Sequence, residues 1–167
     1  WSGSGREWTM QYGTIEAAVE DIRNGKFVIV VDSEDRENEG DLVMASELIT
    51  PDAVNFMAKE ARGLICVSLA ETRALELNLY PMERRNTSLH ETDFTVSVDA
   101  VNNTTTGTSA YDRFETIRTL IAPDAVPDDL ARPGHVFPIV GKEGGVLRRS
   151  GHTEASMDLA HMAGLQP

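Results

Sequence analysis

Hydrophobic and polar positions follow two periods along this chain, and the switches between them predict its elements. Ile15, Ala18, Val19 and Ile22 recur at helical spacing behind Thr14, a capping hydroxyl, and ahead of Gly25, a stop; a helix is predicted from Ile15 to Asn24. The apolar run Phe27-Val28-Ile29-Val30-Val31 predicts a buried strand to Asp32, with a second short strand at 42–45. Thr50-Pro51 opens another helix, proline at its favoured first position, with Val54, Met57 and Ala61 on one face. A further buried strand is predicted over 64–69 and a helix near 71–77, while 94–98 alternates like a half-exposed strand. The polar stretch 102–108 reads as a loop, ended by Ser109, which with Asp112 forms a capping-box-like start for a helix to Ile121. Pro123, Pro127 and Pro133 punctuate a connection; strands at 136–140 and 146–147 flank a turn at 141–145; Thr153 caps a last helix that runs to Ala163.

Strands and helices mix too irregularly for a doubly wound sheet. The expected fold class is therefore α/β (α+β): one compact domain over residues 12–167, with a mixed sheet flanked by helices. Residues 1–11 are linker-like and are set apart from it. A chain of 167 residues can bury roughly two-thirds of its unfolded surface, enough for a real core. The net charge of −12 argues against nucleic acid or an anionic membrane as partner, so any anionic substrate needs a local basic patch. The single cysteine, Cys66, excludes an internal disulfide and fits a reducing, cytoplasmic compartment. No apolar stretch approaches the roughly 18 residues of a membrane span, and no signal-peptide pattern opens the sequence.

Chemistry concentrates in the ten residues from Asp32 to Asp41, where six carboxylates stand against one Arg, a net −5. Carboxylates packed this closely raise one another's pKa unless a cation compensates, and a hard divalent ion is the simplest resolution. Such a loop alone is also common as a solvated surface, but Arg36 within it, Gly40 and the preceding strand point to a site. The segment Arg148-Arg149-Ser150-Gly151-His152-Thr153-Glu154 places guanidinium groups, hydroxyls and free amides at a helix start, a ready anion site suited to a phosphate. His152 beside the positive end of the helix dipole favours neutral imidazole, the metal-binding form. His135, in Pro133-Gly134-His135-Val136, is a candidate acid–base or a structural histidine. Cys66 is most simply a small buried hydrophobe, and the 104–109 hydroxyls could add a phosphate contact. Walker, dinucleotide, zinc and nucleophilic-serine motifs are all missing from the sequence. What remains is a carboxylate–imidazole site for a divalent ion beside a phosphate pocket, suited to proton transfer on a phosphorylated hydroxyketone.

Glu34-Asp35-Arg36-Glu37-Asn38-Glu39-Gly40-Asp41, Gly63-Leu64-Ile65-Cys66-Val67, Phe94-Thr95-Val96-Ser97-Val98-Asp99, Arg132-Pro133-Gly134-His135-Val136-Phe137-Pro138 and Gly144-Gly145-Val146-Leu147-Arg148-Arg149-Ser150-Gly151-His152-Thr153-Glu154-Ala155 together resemble the 3,4-dihydroxy-2-butanone 4-phosphate synthases of riboflavin biosynthesis, in that family's order. The resemblance implies conversion of D-ribulose 5-phosphate to 3,4-dihydroxy-2-butanone 4-phosphate and formate, with Mg²⁺ or Mn²⁺. It implies Glu37 and His152 as metal ligands, and Arg36 and Asp41 as substrate contacts, with Glu37 and Asp41 also catalytic. Arg149, Ser150, Gly151, His152 and Thr153, with Thr106, would hold the substrate's phosphate end; Glu39 and Cys66 would line the site; His135 would be the essential histidine. It further implies a homodimer with shared active sites and, in some relatives, a downstream GTP cyclohydrolase II domain.

Departures stand beside the match. Ser33 interrupts the acidic run, and Thr108, Tyr111 and Phe114 are bulkier or more polar than expected around the Thr-Gly turn. The family's essential C-terminal glutamate is expected shortly beyond Pro167, so the C-terminal end is expected to be missing, and a protein ending there to be folded but catalytically poor. Two other readings remain: a non-catalytic sugar-phosphate-binding domain, and a metal-dependent pentose-phosphate isomerase yielding no formate.

Overall fold

The computed structural model describes residues 12–90 and 92–166; the linker-like segment 1–11 lies outside the described residues. Thr14 opens α1 (Ile15–Arg23) as expected, its hydroxyl accepting the Ala17 amide at 3.2 Å. The helix buries Val19 and Ile22 against Leu159 and Ala163 of the C-terminal segment. β1 (Val28–Val31) and β2 (Gly40–Val43) form an antiparallel hairpin, Val31 opposite Gly40. Here the apolar run misleads: β1 is buried on one face only. Val28 and Val30 face the core, while Ile29 and Val31 are 67% and 39% exposed. The hairpin is also separate from the main sheet, so the acidic loop is the tip of a ribbon rather than the edge of a larger sheet.

α2 (Pro51–Phe56) is capped by Thr50, whose hydroxyl accepts the Ala53 amide at 3.1 Å. It runs into a π-turn, Met57–Ala61, that ends at Arg62 with φ 61°. The extra residue per turn rotates the stripe out of phase. Ala61, expected on the buried face, is therefore exposed.

The main sheet is mixed, as expected. Its order is β3 (Cys66–Leu69), β5 (Leu130–Val140), β4 (Val98–Ala100), with β3 parallel and β4 antiparallel to β5. α3 (Glu71–Glu76) follows β3, and α4 (Ala110–Ile121) lies across β4 and β5 with α2 against it. Val54, Val67, Leu69, Leu77, Val98, Leu120 and Val136 form the core between them. α5 (His152–Met162) packs against α1 and β3 and closes the other side.

Three expectations change. The 94–98 strand begins only at Val98; before it, Phe94 and Thr95 make single bridges, and the inward positions are polar. Thr95 and Ser97 are buried, but Thr95 Oγ1 donates to the Pro138 carbonyl at 3.2 Å and Ser97 Oγ accepts the Gly134 amide at 3.2 Å, so neither is left unpaired. β5 extends back to Leu130 past Gly134, where a Cβ would run into the Val98 backbone. Finally, 146–147 is not a strand: Gly144 and Gly145 adopt left-handed φ of 95° and 60°, and Gly145–Leu147 is a 3-10 turn.

Candidate active site

The acidic loop is organised from within by Asp32, the residue that directly follows β1. Its Oδ2 accepts the Glu37 amide at 3.0 Å and Arg36 Nη1 at 2.8 Å; its Oδ1 accepts the Glu39 amide at 2.9 Å. Burial works to raise the Asp32 carboxyl, but the Glu39 amide, the Arg36 guanidinium and the Glu37 amide, aided by His152, outweigh it and hold the group at about 2. Arg36 also pairs with Glu37 Oε1 at 2.8 Å through Nη2. One guanidinium thus answers two of the carboxylates, while Glu34 and Asp35 are exposed to water.

His152 meets this loop from the far end of the chain. It is the first residue of α5, and its Nε2 lies 3.2 Å from the Glu39 carbonyl. One ligand atom each from Asp32, Glu37 and His152 falls within 4.8 Å of the others. Two carboxylates and an imidazole form a hard oxygen–nitrogen donor set, which fits a divalent ion such as Mg²⁺ or Mn²⁺. Asp32 is the member that sequence reasoning missed; its place directly after a strand, facing the amides of its own loop, was the available signal.

A cleft of about 480 Å³ opens beside this group. Arg36, Glu37, Glu39, Asp41, Cys66, Arg149, His152 and Thr153 all line it, so most predicted site residues do come together. Cys66 is exposed on the cleft wall rather than buried. Close packing around the sulfur, with the Asp41 carboxylate adding to it, pushes the thiol up to about 12. At physiological pH the cleft wall therefore presents a neutral thiol, not a nucleophile.

The phosphate end is built differently from expectation. Thr153 does not cap α5; Gly151 does, in extended conformation, and Thr153 is buried in the first turn, lining the cleft. Ser150 is exposed and does not line the cleft. Arg149 is half-buried and already engaged: Nη1 donates to Glu154 Oε2 at 2.8 Å, and Nη2 to the His90 carbonyl at 2.9 Å.

Thr106 and His135 do not reach this cleft. His135 projects from β5 with 47% of its side chain exposed. Asp99 of β4 accepts its backbone amide and its ring Nδ1, each at 2.8 Å, and Thr108 Oγ1 lies 3.3 Å from Nε2. A Cβ on Gly107, which has φ 87°, would land on the Asp99 carboxylate, so glycine is required for the pair to form. The 104–109 loop is fixed by Asp112, buried in α4. Ser109 caps that helix as predicted, accepting the Asp112 amide at 3.0 Å. The Asp112 carboxylate does not close a capping box; it accepts the amides of Thr105 and Gly107 and the Thr105 hydroxyl instead. Neither Asp99 nor Asp112 was assigned a site role from sequence, because both act on residues brought close only by folding.

A family model described as 3,4-dihydroxy-2-butanone 4-phosphate synthase matches residues 16–167. The chain belongs to this family. Within the synthase family, the riboflavin biosynthesis protein RibBA of Aquifex aeolicus is 60% identical over 159 residues, covering 94% of this chain and 39% of that protein. The 3,4-dihydroxy-2-butanone 4-phosphate synthase of Pseudomonas syringae is 52% identical, covering 95% and 43% respectively. A solved synthase in complex with two magnesium ions matches at a TM-score of 0.90 with 44% identity, covering 93% of this chain and 73% of its own. The chain thus spans about two-fifths of the length of these curated relatives.

Proposed function

We propose that this chain converts D-ribulose 5-phosphate to 3,4-dihydroxy-2-butanone 4-phosphate and formate, with Mg²⁺ or Mn²⁺, in riboflavin biosynthesis in the cytoplasm. The observation that carries the reading is the meeting of Glu37 and His152, 115 residues apart in sequence, beside Asp32 on the wall of one cleft. Family membership and the magnesium complex of a structural relative support it. Glu37 and His152 would hold the ion, which would supply Lewis-acid polarisation of the sugar's carbonyl and adjacent hydroxyl. Asp41, at the start of β2 on the same wall, takes the proton that the polarised carbon releases. Arg36 fixes Glu37 and faces the substrate hydroxyls. Arg149 and Thr153, with the amide of His152 at the α5 start, receive the phosphate; the Gly151 amide is already given to the Arg149 carbonyl at 2.9 Å, and Gly151 does not line the cleft.

His135 and Thr106 belong to a complete site only if a second copy brings them to this cleft, and that is the arrangement we propose: a homodimer with shared active sites. The exposure of His135 outside its own cleft supports it. Relatives more than twice this length leave room for a companion GTP cyclohydrolase II domain in the whole protein. The test is formate release from D-ribulose 5-phosphate by the full-length protein, with Mg²⁺ and with chelator. Metal-dependent formate is expected; an isomeric pentose phosphate without formate would identify an isomerase, and thermal stabilisation by the sugar phosphate without turnover a binding domain.

A further inference from the structure

Glu154 is 1% exposed, yet it is ionisable and sits in the first turn of the helix that opens the phosphate end of the cleft. A carboxylate that deep needs partners for both oxygens. Oε1 accepts the Lys142 amide at 3.0 Å, and Oε2 accepts Arg149 Nη1 at 2.8 Å. Arg149 is gripped from its other side by the His90 carbonyl, with Thr92 Oγ1 3.3 Å from Nη2. Gly151 completes the arrangement: a Cβ there would collide with the Arg149 guanidinium and the Glu154 carboxylate together. A glycine at the helix start, a buried acid and two groups from a distant segment therefore all define one place for a single guanidinium.

We propose that Glu154 is a positioning residue for phosphate recognition. It does not face the cleft; it acts through Arg149, which does. A guanidinium carries five N–H donors in a fixed fork, so the contacts to Glu154 and the 90–92 segment leave donors for an anion. Holding the fork in place beforehand removes the loss of rotamer freedom that a free arginine suffers when an anion captures it. The proposal rests on the reading above in which Arg149 meets the substrate phosphate.

The experiment compares Glu154→Gln, Arg149→Ala and the double variant in the full-length protein. It reads KM and kcat for formate release, and inhibition by inorganic phosphate. Glu154→Gln keeps the shape and removes the charge; KM and the phosphate inhibition constant should each rise about ten-fold, with kcat within about two-fold, the size expected for one side chain losing its order. In the Arg149→Ala background the same change should add nothing. A Glu154→Gln protein with unchanged KM and phosphate inhibition, beside a raised KM in Arg149→Ala, overturns the positioning role alone. An unchanged KM in Arg149→Ala removes the phosphate reading and this inference with it. Should Glu154→Gln fail to fold, Gly151→Ala, whose methyl displaces both partners, must raise the same two constants.

Discussion

Replacing Asp99 by Asn isolates the contribution of the carboxylate behind His135. The side chain is isosteric, its surroundings at Gly107 are unchanged, and it is 14% exposed, so the protein should fold. The polarity of the contact is what changes. A carboxylate oxygen only accepts, so Asp99 Oδ2 fixes the hydrogen on Nδ1 of His135 and leaves the Nε2 lone pair free, toward the Thr108 hydroxyl. Asn offers one acceptor for two donors. If its oxygen stays on the His135 amide, its NH₂ faces Nδ1, and the ring must carry its hydrogen on Nε2 instead. The reactive nitrogen then has the wrong role. Loss of one charge-assisted hydrogen bond is worth about 1.5–3 kcal/mol, which at about 1.4 kcal/mol per factor of ten is a fall in kcat of about 10- to 150-fold. The assay is formate release at saturating Mg²⁺ and sugar phosphate. A magnesium titration of the same variant is the control and should be unchanged, because Glu37 and His152 lie in another part of the chain's surface. A kcat within about three-fold of the parent, in a protein of unchanged melting temperature, would refute the idea that Asp99 sets the tautomer.

Other outcomes follow from the same contacts. His152→Ala should weaken Mg²⁺ binding, read by calorimetry, and abolish turnover with little change in melting temperature; retained affinity would remove it from the ligand set. Asp112 should make stability pH-dependent. The Thr105 hydroxyl, then the Thr105 and Gly107 amides and Ser109, outweigh burial and hold its carboxyl below the ordinary range, so the stability it contributes is complete above about pH 4 and is lost as pH falls through its folded value. Denaturant midpoints from pH 7 to pH 3 should therefore drop less in Asp112→Asn than in the parent. Leu120→Ala, in a fully buried position between α4 and the sheet, should cost about 2–5 kcal/mol in the same assay. Cys66, with its thiol raised to about 12, should alkylate slowly at pH 8 despite its exposure.

The elements that carry their own local logic were legible in the sequence. Thr14, Thr50 and Ser109 cap the helices that they were expected to cap, because a hydroxyl accepting an amide three residues on needs no tertiary partner. The residues of the acidic loop and of the α5 start were equally clear as the two halves of a cleft, since their chemistry is dense and unusual. Depth was not legible. An apolar run cannot say whether a strand is covered on one face or two, and β1 proved one-sided. Nor could the sequence show that Thr95 and Ser97 point inward, since their partners, Pro138 and Gly134, lie on another strand. Asp99 was hidden for the same reason, since His135 lies 36 residues away on another strand, whereas Asp32 and Asp112 act on loops within seven residues of themselves and went unread because a loop's turns are not fixed by its composition.

The position of His135 outside the cleft, on the proposal that a second copy brings it there, has a genetic corollary. If each reaction centre draws on two polypeptides, a chain crippled at Glu37 and another crippled at His135, each inert alone, should regain activity when co-expressed, because mixed pairs contain one centre with every part intact. Inheritance of this function would then show complementation between two defective alleles of one gene.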